Sequence, residues 1–260
     1  MTAPAHLSSG RMQLGLLWAL SVKNFQVRYK RATLGVLWAV VQPSFQAAFL
    51  SVIFLRVFHY GDRVPHYPLF VLSGILPWSF FAQSVIAATT AVVDNAALVK
   101  KVALPLSVFP VSAAGGTSIA FSASLSVLVV ATVFFGSFGA NVVLLVPALA
   151  IELLVIIGVA LIAGSFHVAF RDVRYLVESM MVVGVYASPI LYDLAKVPDR
   201  YRPFVRLNPI TGVLTLTRAA VLDRPIDMAA VWTACGVAAL LVALGAWLFR
   251  RRAGEFADLV

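Results

Sequence analysis

Residues 102–151 read VALPLSVFPVSAAGGTSIAFSASLSVLVVATVFFGSFGANVVLLVPALAI, a run of 50 without a single Lys, Arg, Asp or Glu. A bilayer core about 30 Å thick is crossed by roughly 20 helical residues rising about 1.5 Å each, so this run holds two crossings and a turn. The small polar stretch Gly136-Ser137-Phe138-Gly139-Ala140-Asn141 is the natural break. It predicts spans near 106–135 and 142–170. Outward from this pair, the charge-free runs 32–55, 64–93 and 228–249, of 24, 30 and 22 residues, each hold one span. A sixth is expected around 173–191, where only 14 uncharged residues separate Glu178 from Asp193 and Glu178 has to lie near an interface or face protein.

The reading is therefore an all-α membrane protein with six transmembrane helices. Composition agrees: 61% of the 260 residues are hydrophobic and 12% charged, whereas soluble domains carry about a quarter charged. Disorder, a collagen-like chain and a disulfide scaffold are excluded. The one cysteine, Cys235, lies in an apolar run and can form neither an internal disulfide nor a thiolate metal site. No metal site is expected. A net charge of +9 would suit nucleic acid if the basic residues shared one accessible face, but they punctuate hydrophobic stretches instead. No nucleic-acid partner is expected, and the charge is read as membrane topology.

With six spans, both termini share a side. Termini in the cytoplasm put 12 of the 20 basic residues inside: Arg11, Lys23, Arg28, Lys30, Arg31, Lys100, Lys101, Arg171, Arg174 and Arg250 to Arg252. Of the eight outside, six lie in the long stretch 192–227, which counts little because the rule weighs residues beside short loops. Cytoplasmic termini are favoured. The first residues lack the basic, apolar and small-residue pattern of a cleavable signal, so the first span is expected to stay in the mature chain.

Three parts follow: an N-terminal cytoplasmic segment 1–31, a transmembrane domain 32–250 and a cytoplasmic tail 251–260. Within 12–31, Leu14, Leu17, Trp18, Val22 and Phe25 recur at helical spacing with Lys23, Lys30 and Arg31 between them, as in an amphipathic helix lying in the interface. A basic flank that only sets topology has the same charges. Between spans five and six, the uncharged run 207–217 is too short to cross. It is read as dipping into the outer leaflet and returning, with Asn208-Pro209 and Gly212 breaking the backbone, or as a plain external loop.

Catalytic motifs are missing: there is no G-x-x-x-x-G-K-[ST] phosphate loop, no H-E-x-x-H and no G-x-S-x-G. The ionisable residues expected inside the membrane are Glu152, about 15 Å into span four, and His167 near the cytoplasmic boundary. An intramembrane ionisable group is a functional candidate by default, but a protonated Glu hydrogen-bonded inside the bundle is the reading favoured for Glu152. The two do not form a catalytic pair. Aromatic rings stack on the apolar faces of sugars, so Phe45, Phe49, Trp78, Phe81, Tyr186 and Tyr192, with Glu152, are candidates for lining a glycan path. Belt, packing and lipid-facing positions also take aromatics.

The turn at about 94–105 reads DNAALVKKVALP. It forms a short helix with Asp94 or Asn95 as N-cap and Lys100 and Lys101 near its C-terminal end, before Pro105 stops it. Leu98 and Val102 make an apolar face. A topology-setting loop needs only the two lysines; a capped helix with an apolar face is a docking element for a cytoplasmic partner.

A set of stretches in fixed order carries a resemblance. They are Val27-Arg28-Tyr29-Lys30-Arg31 with Leu34-Gly35-Val36-Leu37-Trp38 and Gln42-Pro43; the segment SGILPWSFF at 73–81; residues 95–105; Phe170-Arg171-Asp172-Val173-Arg174; Ser188-Pro189-Ile190; and Leu207-Asn208-Pro209. Together they resemble the membrane subunits of bacterial ABC exporters for cell-surface polysaccharides, the O-antigen, teichoic acid and galactan exporters of the type 2 permease class. Leu106-Ser107 departs from relatives that carry an Arg-Glu pair there.

The resemblance implies a multi-pass subunit of the bacterial cytoplasmic (inner) membrane that works as two permeases with two ABC ATPase subunits. ATP and Mg would be bound by the ATPase, and this chain would hold no cofactor of its own. Asn95, Leu98, Lys100, Lys101 and Val102, with Arg28, Lys30 and Arg31 of the N-terminal helix, would face the ATPases. The stretch 192–227 would form short re-entrant helices at the exit. A lipid-linked polysaccharide would enter charged end first. Arg200, Arg202 and Arg206 of the outer basic cluster are candidate contacts for an anionic headgroup or pyrophosphate. A drug or lipid exporter of the same architecture, and a membrane-embedded enzyme acting on polyprenyl-linked sugars through Glu152 or His167, are the other readings.

Overall fold

The computed structural model describes residues 10–30, 32–57, 59, 64, 66–101, 105–135 and 139–259. Arg31, Arg63 and Val102 lie outside the described residues. Among those described, every regular element is helical: α1 (Gly10–Tyr29), α2 (Leu37–Arg56), α3 (Tyr67–Asp94), α4 (Ala96–Lys101), α5 (Val108–Phe134), α6 (Leu145–Ala169), α7 (Val173–Ala187), α8 (Arg202–Leu207), α9 (Pro209–Leu222), α10 (Met228–Arg252) and α11 (Phe256–Leu259). Five are long and apolar enough to cross a membrane: α2, α3, α5, α6 with the 3₁₀ turn that leads into it, and α10. The expected break in the 50-residue run falls between α5, which ends at Phe134, and the 3₁₀ turn Ala140–Leu144.

The segment expected as a span at 173–191 is divided. Its helix α7 has 15 residues, about 22 Å at 1.5 Å per residue, less than the ~30 Å of a bilayer core. Pro189 is the cause: a residue before proline is driven out of the helical region, and Ser188 is extended at ψ 147°. The chain continues without helix through the buried residues Ser188 to Leu191. Non-helical backbone survives in an apolar setting only when protein satisfies it. Here Tyr67 Oη donates to Leu191 O at 3.0 Å, and Arg218 Nη2 to Ile190 O at 2.8 Å.

The hub is α3. Within its apolar window 72% of residues are buried, against 17–39% for the other four long helices, and α2, α5, α6, α7 and α9 all pack on it. The α6–α10 contact runs backbone to backbone at two glycines. A Cβ on Gly158 would lie 2.7 Å from the Leu241 carbonyl carbon, and one on Gly245 would lie 2.6 Å from Gly158 O. Without a hydrophobic drive between helices in lipid, such close approach supplies the attraction. Gly212 does not break the backbone as the sequence suggested. It sits inside α9, where its missing side chain admits Ala230 and Ala234 of α10.

Both ends of the described chain pack on the bundle. The apolar residues of α1 do not form one stripe: Leu16, Leu17 and Leu20 pack on the bundle with Ser21 buried among them, while Leu14 and Trp18 face outward. The exposed side of α1 also carries Lys23, Gln26 and Arg28. The segment expected as a cytoplasmic tail packs on the bundle. After α10 the chain turns back and buries Phe256 against Phe249, with ring centroids 5.1 Å apart.

Pro43 lies inside α2 and has no N–H for the carbonyl of Ala39 one turn earlier. Ser124 Oγ of α5 donates to that carbonyl at 2.8 Å. Ser124→Ala should therefore cost about 1–2 kcal/mol, because a half-buried carbonyl loses its donor. In a Pro43→Ala background, where the backbone refills the carbonyl, the cost should fall toward zero. Thermal unfolding of the four proteins in detergent measures that coupling.

Candidate functional site

The two ends of the bundle carry different chemistry. At one end, α3 stops at Asp94 and the chain turns through Asn95 into α4. Carbonyl O of Asn95 accepts from Leu98 N at 2.8 Å and Val99 N at 3.1 Å, which starts the short helix. The Asn95 side chain does not cap it. Nδ2 donates to Ala91 O at 2.8 Å and Oδ1 accepts from Lys23 Nζ of α1 at 3.1 Å. The amide thus ties α1 to the α3–α4 corner, across 72 residues of sequence.

Two further bonds hold α1: Asn24 Nδ2 to Ser112 Oγ at 3.3 Å and Arg28 Nη1 to Gln83 Oε1 at 3.4 Å. Between α1, α3 and α5 lies a cleft of about 410 Å³ lined by Lys23, Asn24, Arg28, Thr90, Asp94 and Asn95. The apolar anchor of α4 is Val99, buried in a cluster with Val92, Phe109, Leu161, Phe249 and Phe256. Leu98 leans on the same cluster, while Ala97 and Lys100 are exposed. Lys30 is also exposed, and Lys101 ends the helix. Sequence reading missed both Val99 and Lys23: on a six-residue helix no periodicity distinguishes Val99 from Leu98, and Lys23 reads as one basic residue among several.

The intramembrane candidates do not converge. Glu152 is fully buried on α6, and neither carboxyl oxygen has a hydrogen-bond partner among the described residues. His167, also buried, is 15 residues further along the same helix, about 22 Å away. Of the aromatics, Phe45 and Phe49 on α2 and Tyr186 on α7 are exposed. Trp78 and Phe81 are buried on α3, with centroids 5.5 Å apart. Tyr192 is half-buried, and its phenol is raised by that burial, partly offset by Arg218.

The opposite end carries the basic cluster. Asn208 organises it: Oδ1 accepts from Ile210 N at 3.0 Å to cap α9, and Nδ2 donates to Ser188 Oγ at 2.8 Å. Arg206 is committed inside the protein, its Nε and Nη2 donating to Asp227 Oδ2 at 3.1 and 2.7 Å. Arg202 donates to the carbonyls of Ala195 and Val197 and pairs with Asp199 at 2.8 Å. Arg200 lies over the exposed Tyr201 ring. Arg224 reaches Asp193 at 3.4 Å. These elements border a cavity of about 510 Å³, lined by Phe70, Asp193, Arg202, Arg218, Arg224 and Asp227 among others. Arg218 and Arg224 were absent from the sequence-based candidates, since Arg218 reads only as the residue bounding an apolar run.

A family model described as ABC-2 type transporter matches residues 15–222, most of the chain. The chain belongs to the ABC-2 type transporter family. As an ABC-2 membrane subunit it is a multi-pass transport protein, and the apolar α2, α3, α5, α6 and α10 agree with that. Among curated relatives, the "O-antigen export system permease protein RfbA" of Myxococcus xanthus is 27% identical over 250 residues, covering 95% of each chain. Two proteins of the same description from Klebsiella pneumoniae are 26% and 25% identical, each over 94% of this chain and 95% of their own.

Asp227 gives this ABC-2 chain an acid-sensitive joint. Burial alone would raise its carboxyl, but the hydrogen bonds from Arg206 and from Ala230 N–H outweigh it and hold the group below the ordinary 3.8. A depressed carboxylate stabilises the fold above its unfolded value and loses that contribution as pH falls through the folded value. Asp227→Asn should cost about 1–2 kcal/mol near neutrality. The gap from wild type should close in acid below 3.8, read as thermal midpoints across pH.

Proposed function

We propose that this chain is the permease subunit of an ABC exporter that moves a lipid-linked cell-surface polysaccharide across the bacterial cytoplasmic membrane. The observation that carries the reading is the match to O-antigen export permeases along 94–95% of both chains. Two copies of the chain would enclose the path, each joined to an ABC ATPase subunit that binds ATP and Mg. Both termini would be cytoplasmic, with α1 and α4 on the ATPase side.

In this reading α7 and the extended Ser188 to Leu191 together make the sixth crossing, and α8 and α9 form the re-entrant pair at the outer side. The burial of α9 among α3, α6 and α10 supports that depth. The exposed Phe45, Phe49 and Tyr186 are then available to the second copy or to the glycan, whose apolar ring faces stack on aromatics. Trp78 and Phe81 would shape the path from behind, and Tyr192 would lie near its outer end.

The mechanical step follows from α4. A push on its exposed Ala97 and Lys100 is received through Val99 by a packed cluster that includes residues of α3, α5, α6 and α10. Close-packed clusters move as units rather than deform. An ATPase closing on α4 would therefore tilt several helices together, with α1 following through Lys23 and Asn95.

The direct test is deletion of the gene in its source bacterium, with surface polysaccharide stained on intact cells; unchanged display would sink the proposal. For the coupling step, Ala97→Glu and Lys100→Glu should leave membrane insertion and thermal midpoint near wild type. Export should fall about tenfold or more, equivalent to ~1.4 kcal/mol of lost coupling. Leu98→Asp should lower both export and stability, because Leu98 also leans on the bundle. Export assays paired with unfolding curves separate the two classes.

A further inference from the structure

We propose that the cavity between α8, α9 and the start of α10 is a phosphate-binding site centred on Arg218, with Arg224 and Arg202 as its outer contacts. Arg218 is 6% exposed and is the one charged residue among the buried positions of α9. Its guanidinium carbon lies over Phe70, 3.6 Å from the ring centroid, and Nη2 donates to Ile190 O at 2.8 Å. These contacts fix the plane of the fork. They leave Nε without a hydrogen-bond partner among the described residues.

The charge is also unbalanced. Among the described residues no carboxylate forms an ion pair with Arg218, whereas Asp227 is taken by Arg206 and Asp193 by Arg224. Asp193 acts on Arg218 only from a distance, and a buried guanidinium without a counter-charge in contact is costly, a cost that a bound anion removes. The cavity supplies room, about 510 Å³, and both carboxylates that line it are already engaged. Arg202 lines the same space from α8, and Arg224 reaches it from the loop before α10. Three guanidinium groups carried on α8, α9 and that loop suit an anion with several oxygens in different directions, as in a phosphate or diphosphate. A single flat carboxylate would use one fork.

This differs from the contacts expected at Arg200 and Arg206. Arg206 is neutralised by Asp227 and Arg200 lies on the surface, so neither is the centre. The assignment deepens the transport reading, because a diphosphate is the charged end of a lipid-linked glycan. Its test reads binding without transport, so either can fail alone. A phospholipid headgroup offers the same chemistry, and the experiment separates the two sources.

The full chain, in phosphatidylcholine nanodiscs, would be titrated with inorganic pyrophosphate against chloride at constant ionic strength, with thermal midpoint as readout. A ligand that binds only the folded state raises the midpoint with saturation. Wild type should show a saturable rise. Arg218→Met and Arg224→Ala should shift the half-saturating concentration up by about tenfold or more, as expected when a charged donor is lost. Arg251→Ala, at the other end of α10, should respond like wild type. Because the readout is the pyrophosphate-dependent change, an arginine serving only Ile190 O would leave it intact. Should Arg218→Met fail to fold, Arg224→Ala and Arg202→Ala carry the test. Repeating the titration with phosphatidylglycerol in the nanodiscs identifies the occupant: a blunted response means phospholipid headgroups fill the site, and an unchanged one means that they do not compete. No saturable rise in wild type, or equal responses in the Arg218, Arg224 and Arg202 variants, overturns the site.

Discussion

Inside a hydrocarbon layer a carbonyl that loses its helical partner has no water to turn to, so the protein must bring a donor to it. Much of this molecule is organised around that requirement. Pro43 frees Ala39 O, and Ser124 comes across from α5 to fill it. Pro189 ends α7 and leaves Ile190 and Leu191 outside any helix, and Arg218 and Tyr67 arrive from α9 and α3. At the bend between α8 and α9, Val205 O keeps only a 3.3 Å bond from Asn208 N and accepts a second from Thr211 Oγ1 at 2.7 Å. Each repair is also a tertiary contact, so the places where the backbone is interrupted join one helix to another.

Close approach is the second organising factor. Where Gly158 and Gly245 meet, α6 and α10 touch main chain to main chain, and Gly212 lets α9 do the same with α10. These contacts lie along the side of α10 away from its lipid-like exposed residues Trp232, Leu240 and Trp247. The α4 end is knit differently, by large side chains: Phe109, Phe249 and Phe256 with Val99 among them.

The span pattern was legible because it depends on length and charge alone. The 50-residue run, the break near Gly139 and the runs that became α2, α3 and α10 all follow from counting. The short helix at Ala96–Lys101 was legible too, from Asn95, the paired lysines and Pro105. What counting could not reach was the partner of each polar group. Asn95 looked like a cap because caps are local, yet its amide is taken by Lys23, 72 residues earlier. Arg200 and Arg206 looked available and Arg218 looked only like the end of an apolar run, since nothing near them in sequence announces Asp227 or Phe70. Gly212 read as a breaker because glycine usually is one in water, whereas among packed helices it is a place for a neighbour.

The folded-back C-terminus places a constraint on inheritance. Phe256 belongs to the same packed cluster as Val99 of α4, so the last turn of the chain and the short helix at 96–101 share one set of neighbours. A substitution that enlarges or shrinks either must be absorbed by the other, or by the phenylalanines between them. If related chains drift apart at the position of α4, the segment that carries Phe256 should drift in step, although most of the sequence separates the two.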